Sequence, residues 1–185
     1  MIIASVPLAG AFLITPEPAV DERGAFGRLF CAQTFTAAGL NPRLDQISYS
    51  FNLKAGTLRG LHLQRPPNGE AKLIRVTQGA IFDVIVDVRA ASPTFGRSYA
   101  VVLEAADRRQ LYLPVGIAHG FQTLTDAAEI TYHISTPYAA EAQDGVRWDD
   151  PDLAINWPDP DRAILSARDR QLPLLADFKP VIDAG

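Results

Sequence analysis

The chain has 185 residues, 48% of them hydrophobic, which suits one domain with appendages and a core that needs no disulfide or metal staple. A net charge of −4 argues against a nucleic-acid-binding protein, and a single cysteine excludes an internal disulfide and fits a reducing compartment. No run reaches the roughly 18 uninterrupted apolar residues of a membrane helix, and the apolar N-terminus lacks a basic start and is broken by Pro7, so a soluble, cytoplasmic protein is expected.

The 13 glycines and 14 prolines are spread along the chain and punctuate short β segments. GAFLITPEPAV reads as a first strand ending in prolines, and DERGAFGRLF as a turn followed by a second strand. AQTFTAAGL predicts a short helix ended by Gly39, with Cys31 before it as a small buried hydrophobe. DQISYSFN alternates as a strand, and Lys54-Ala55-Gly56 is a turn into TLRGLHLQ. KLIRVTQ, Gly79 and AIFDVIVDV form strand, turn and strand. In the second of these, Ile81, Asp83, Ile85 and Asp87 face one way, and two acids on an apolar strand need an explanation. SYAVVLEA, RQLYLPV, GFQTLT and EITYHIST continue the series, so many short strands point to a sandwich or barrel. After Pro137 the texture turns to prolines, aspartates and two tryptophans, an irregular arm with a short helix over 166–172 capped by Ser166.

Only three histidines can serve as bases near neutral pH. Strand alternation in TLRGLHLQ puts His62 with Gly60 and Gln64, and Arg59 with Leu61 on the other face. A histidine between Gly and Gln is poorly explained by packing, so His62 is the leading candidate. His119 lies in a glycine-containing turn, LPVGIAHGF, and His133 is expected outward at the surface, opposite an inward Tyr132. Arg59, Lys72 and Arg75 are cations in an acidic chain and suit an anionic ligand, arginine in particular through its bidentate fork. A metal site would have to combine His62, His119 and Glu70, but the second histidine of a His-x-His pair is replaced by Gln64 and Lys72 stands beside the group, so no metal is expected. There is no G-x-S-x-G and no glycine-rich phosphate loop.

TLRGLHLQ, EAKLIRVTQGAIFDVIVDVR, SPTFGR, LYLPVGIAHGF, EITYHIS and GVRWDDPDLAINWP follow one another in an order that resembles the dTDP-4-dehydrorhamnose 3,5-epimerase family, from about Gly10 to Leu175. The resemblance implies an all-β cupin-type double-stranded β-helix, a jelly-roll barrel with its core at about 44–137, N-terminal strands and a C-terminal arm packed on it, and short helices. It implies a homodimer, no metal and no organic cofactor, and a nucleotide-diphosphate sugar as substrate. It makes His62 the base, Asp169 its carboxylate partner and Tyr132 the acid on the opposite face of the sugar. It places Lys72 near the developing oxyanion, and Arg59 and His119 along the sugar and phosphate. Arg23 and Phe26 match a segment reaching the nucleotide from the partner subunit, and Gln46 and Tyr138 match positions near the base or ribose. Arg28 stands where the family usually has an acid near the nucleotide, Ser48 where asparagine is commoner, and one extra residue separates Gln46 from Arg59, so the nucleotide stays open. The alternatives are a 3,4-ketoisomerase on the same scaffold and a cupin that only binds sugar.

Overall fold

The computed structural model describes residues 1–182. Its strands are β1 (Ile2–Ser5), β2 (Phe12–Thr15), β3 (Ala19–Asp21), β4 (Gly24–Phe26), β5 (Gln46–Asn52), β6 (Leu58–Gln64), β7 (Lys72–Gln78), β8 (Ala80–Asp87), β9 (Ser98–Glu104), β10 (Gln110–Leu113), β11 (Ile117–Thr123), β12 (Ala128–Ile134) and β13 (Gln143–Gly145). The helices α1 (Ala32–Ala37) and α2 (Ala167–Arg170) are short. A six-stranded sheet runs β1-β2-β10-β7-β12-β5 and faces a five-stranded sheet, β13-β6-β11-β8-β9, while β3 and β4 pair as a separate hairpin. Every pairing between these strands is antiparallel, the expected cupin-type barrel of two packed sheets.

Strand alternation assigns the layers. Ile74, Val76, Leu111 and Ile130 of the six-stranded sheet meet Ile81, Ile85, Leu103 and Phe121 of the five-stranded sheet inside the barrel. The other face of β8, Val84 and Val86, is covered by Leu153, Trp157, Phe178 and Val181 of the C-terminal arm. β8 is therefore buried on both faces, which is why AIFDVIVDV reads as one apolar run. On the outside of the six-stranded sheet, Phe35 of α1 and Leu40 pack on Ile14, Leu73 and Tyr112.

Four expectations change. β1 was not foreseen as a strand: it has an apolar but unpatterned sequence and is held as an edge by pairing with β2. The second strand in DERGAFGRLF is only the outer arm of the β3–β4 hairpin. Cys31 is half-exposed at the N-cap of α1 rather than buried, because the helix turns its Phe35 face to the sheet. His133 does face away from the barrel, but the chain around Asn41 and Leu44 covers that face and leaves it half-buried in a narrow crevice. Burial, and then the Arg75 charge, hold its ring below the usual histidine value.

Of the two acids on β8, Asp87 is structural. It is fully buried, and it accepts from Arg89 Nε at 2.9 Å and Nη2 at 2.7 Å, from Ser92 Oγ at 2.5 Å and from Thr94 Oγ1 at 2.6 Å. Arg89 also donates to Ala9 O at 2.6 Å, which ties the N-terminal strands to β8. Burial alone would raise the Asp87 carboxyl, but these donors outweigh it and hold it below the ordinary value. Its contribution to stability is therefore complete above the unfolded value of about 4 and is lost as pH falls through the depressed folded value. Asp87→Ala is expected to cost about 3–5 kcal/mol at pH 7 by stranding Arg89, read by urea unfolding, with the gap to the parent narrowing below about pH 4.

Candidate active site

β6 and β11 do not pair residue for residue. His119 faces His62 but Phe121 faces Arg59, so β6 carries one extra residue as a bulge. Gly60 lies at φ +134° inside the bulge, and a Cβ there would stand 2.4 Å from Gly120 Cα. The bulge overturns the strict alternation expected of TLRGLHLQ, and Arg59 and His62 open onto the same cavity. That cavity, about 580 Å³, lies between the sheets. Arg59, His62, Lys72, His119 and Tyr132 all line it, joined by Tyr49, Ser50, Phe51 and Phe121. Gln64 is fully buried instead, donating to Asn68 O and Pro137 O.

Behind His62 stands Asp169, brought from the far C-terminal arm by α2. Ser166 caps this helix by accepting from Asp169 N–H at 3.1 Å. Asp169 Oδ1 lies 2.7 Å from His62 Nε2. Burial would raise the Asp169 carboxyl, but the bond and charge of His62, the Gly60 N–H and the Ser166 hydroxyl hold it below its ordinary value. An ionised Asp169 selects the tautomer with the proton on Nε2 and leaves Nδ1 as the basic nitrogen.

The facing wall comes from the six-stranded sheet. Tyr132 projects inward from β12, and burial, then the Asp83 carboxylate, push its phenol above the usual value despite Arg59 and a bond with Ser50. It is an acid that stays protonated at neutral pH. Asp83, the second acid on β8, explains itself here: it is fully buried and bonded through Oδ1 to His119 Nε2. Its anomaly in an apolar strand was the available signal, although its partner could not be read from the sequence. His119 in turn packs edge-on against Tyr132 at 6.0 Å between ring centres. Lys72 begins β7 facing inward and pairs with Glu70 at 2.7 Å. Arg75, three residues on, points to the outer face, so the three sequence cations do not form one group.

Gln46 and Tyr138 meet each other: Tyr138 N–H donates to Gln46 Oε1 at 3.1 Å and Gln46 Nε2 donates to Ser48 Oγ at 2.8 Å. They do not line the cavity. Arg23, held to Asp21 at 2.6 Å, and Phe26, 85% exposed, lie on the β3–β4 hairpin away from it, as does exposed Arg28 just beyond. Among the described residues no three His, Cys, Asp or Glu side chains gather as metal ligands. His62, His119 and Glu70 are each engaged with Asp169, Asp83 and Lys72.

The family model described as dTDP-4-dehydrorhamnose 3,5-epimerase matches residues 5–177. A dTDP-4-dehydrorhamnose 3,5-epimerase of Sinorhizobium fredii is 40% identical over 96% of this chain and 91% of its own. The crystal structure of the enzyme so named from Elizabethkingia anophelis superposes with a TM-score of 0.92 at 36% identity, covering 96% of this chain and 97% of that one. The structure of the Bacillus anthracis enzyme so named, with TDP and PPi bound, gives a TM-score of 0.89 at 40% identity, covering 94% and 98%.

Ser166→Ala removes both the helix cap and a donor to Asp169. It is expected to lower the unfolding free energy by about 1 kcal/mol, read from urea titration at pH 7.

Proposed function

The chain belongs to the dTDP-4-dehydrorhamnose 3,5-epimerase family, and on that premise we propose that its cavity inverts carbons beside the ketone of a nucleotide-linked 4-keto-6-deoxyhexose. One observation carries the reading. His62, backed by Asp169, and Tyr132, kept protonated, line one cavity from opposite sheets. Epimerisation without redox chemistry needs a base on one side of a carbon and an acid on the other, and a sugar-binding module needs neither.

In this mechanism the basic nitrogen of His62 removes the proton next to the C4 ketone. The imidazolium that forms is stabilised by Asp169. Negative charge grows on the C4 oxygen, where the Lys72 ammonium stabilises it in a largely water-free wall. Tyr132 then delivers a proton to the opposite face of the carbon, and its phenolate is reprotonated before the next turnover. The His119–Asp83 pair fixes the ring against which Tyr132 rests. Arg59 meets the diphosphate, and the relative holding TDP and PPi supports a thymidine nucleotide. The family description supports inversion at C3 and C5, and a 38%-identical relative named a 3-epimerase makes C3 the carbon common to both.

A homodimer belongs to the same reading. The hairpin with Arg23 and the 85%-exposed Phe26 extends away from its own cavity, and we assign it to the nucleotide side of a partner subunit's site. Arg28 lies close enough in sequence to act there. Gln46 and Tyr138, joined to each other, are assigned in the same reading to the base or ribose. A deoxysugar-biosynthetic role with a single free cysteine supports a cytoplasmic location.

Two substitutions separate the steps. His62→Ala is expected to lower kcat by about 10²–10⁴-fold and to abolish deuterium incorporation from D₂O beside the ketone of the dTDP-linked substrate, followed by proton NMR. Undiminished exchange in that variant would remove His62 as the base. Tyr132→Phe keeps the base and loses the opposite-face donor, so exchange persists while inverted product falls at least about tenfold.

A further inference from the structure

Asn52 closes β5, opposite Ala128 of β12, and is only 2% exposed. Its amide is fully used. Nδ2 donates to Ala128 O at 3.2 Å and to Ser50 O at 3.3 Å. Oδ1 accepts from Arg59 Nε at 2.8 Å and, more weakly, from Ser50 Oγ at 3.4 Å. A buried amide with every group bonded is a rigid bracket, and here it joins the edge of the six-stranded sheet to the bulge on β6.

Arg59 differs from six other arginines of the chain in the partner it has. Arg23, Arg43, Arg65, Arg89, Arg109 and Arg147 each sit on an aspartate. Arg59 has no carboxylate within ion-pair distance among the described residues, and a neutral amide holds its Nε. Nε is the one guanidinium nitrogen that can be held while both terminal nitrogens stay free to grip two oxygens of one anion. A carboxylate in the same place would fix the arm equally well but would cancel its charge and repel an anionic ligand.

We propose that Asn52 is a positioning residue that aims the Arg59 guanidinium into the cavity, through a neutral acceptor, so that its charge is available to the substrate's diphosphate. The proposal rests on Arg59 being the diphosphate ligand. Asn52 does not itself line the cavity, although Phe51 beside it does, so it acts on the site through Arg59.

The test is calorimetric titration of the full-length protein and its variants with dTDP, alongside steady-state kinetics. Asn52→Asp, which keeps the shape and places a negative charge against Arg59, is expected to raise the dTDP Kd and the substrate KM by about tenfold. The kcat should stay within about threefold, because the proton-transfer groups are untouched. Asn52→Ala keeps the charge of Arg59 but frees its arm, and is expected to raise Kd by about threefold. Arg59→Ala is the control. A Kd within twofold of the parent for Asn52→Asp, while Arg59→Ala weakens binding tenfold or more, overturns the role of Asn52 and leaves Arg59 as the ligand. A Kd within twofold for Arg59→Ala itself overturns the diphosphate reading and the proposal together. Asn52→Asp also sets an oxygen against two carbonyls that now accept from Nδ2. If it does not fold, Asn52→Ala decides: a Kd within twofold of the parent overturns the proposal.

Discussion

β6 and β11 approach each other at two glycines with no room for a methyl group on either. A Cβ on Gly60 would meet Gly120 Cα at 2.4 Å, and one on Gly120 would meet Arg59 O at 2.7 Å. That contact lets the extra residue of β6 be absorbed without opening the sheet, and the bulge then turns Arg59 and His62 toward one cavity. Without the bulge, a period of two would leave one of them on the inner face and the other against the C-terminal arm. Arg59 can reach Asn52, and His62 can reach Asp169, only from the positions the bulge sets.

The barrel interior is divided along its length. One part is apolar, filled by Ile74, Val76, Ile81, Ile85, Leu103 and Leu111. The other opens to solvent at Arg59, which is exposed and tied to Asn52, and behind it holds paired side chains: His62 with Asp169, His119 with Asp83 and Lys72 with Glu70. Buried charges are costly unless paired, and a pair costs more than the apolar groups it displaces. Such an arrangement is hard to justify as stabilisation. It makes sense as preorganisation, since dipoles fixed in folding do not have to reorganise when charge develops on a substrate.

Much of the fold was legible because two-residue periodicity survives in KLIRVTQ, EITYHIS and AIFDVIVDV, and because Gly79 marks the turn between the first and last of these. The helix caps at Gly39 and Ser166 were legible for the same reason, being local chemistry. What escaped depends on partners remote in sequence. The bulge left only Gly60 as its mark in the sequence, and its register with β11 could not be read from either strand alone. His133 alternates as expected, yet its burial comes from the segment around Asn41 and Leu44. Asp169 is 107 residues from His62, and only the family resemblance joined them. Asp83 and Asp87 looked alike in sequence, but one serves the His119 ring and the other the Arg89 clasp.

The C-terminal arm links stability to chemistry. Its Leu153, Trp157, Phe178 and Val181 cover the outer faces of β6 and β8, and full burial of such side chains contributes about 1.5–3 kcal/mol each. The same stretch of chain carries Ser166 and Asp169 to the back of His62. The tail is held further by Arg65, which bonds Asp144 and lies 4.6 Å over the Phe178 ring. Packing therefore positions the carboxylate: a change that loosens Phe178 or Trp157 reaches His62 through the arm, with no contact to the cavity. Tyr132 has no such dependence. Tyr132 is set by the pairing of β12 with β5 and β7 and by Asp83 behind it. In the proposed mechanism the two proton-transfer groups thus rest on different parts of the molecule, His62 on the docked arm that carries Asp169 and Tyr132 on a sheet interior, and local opening of the arm would disturb the first while leaving the second in place.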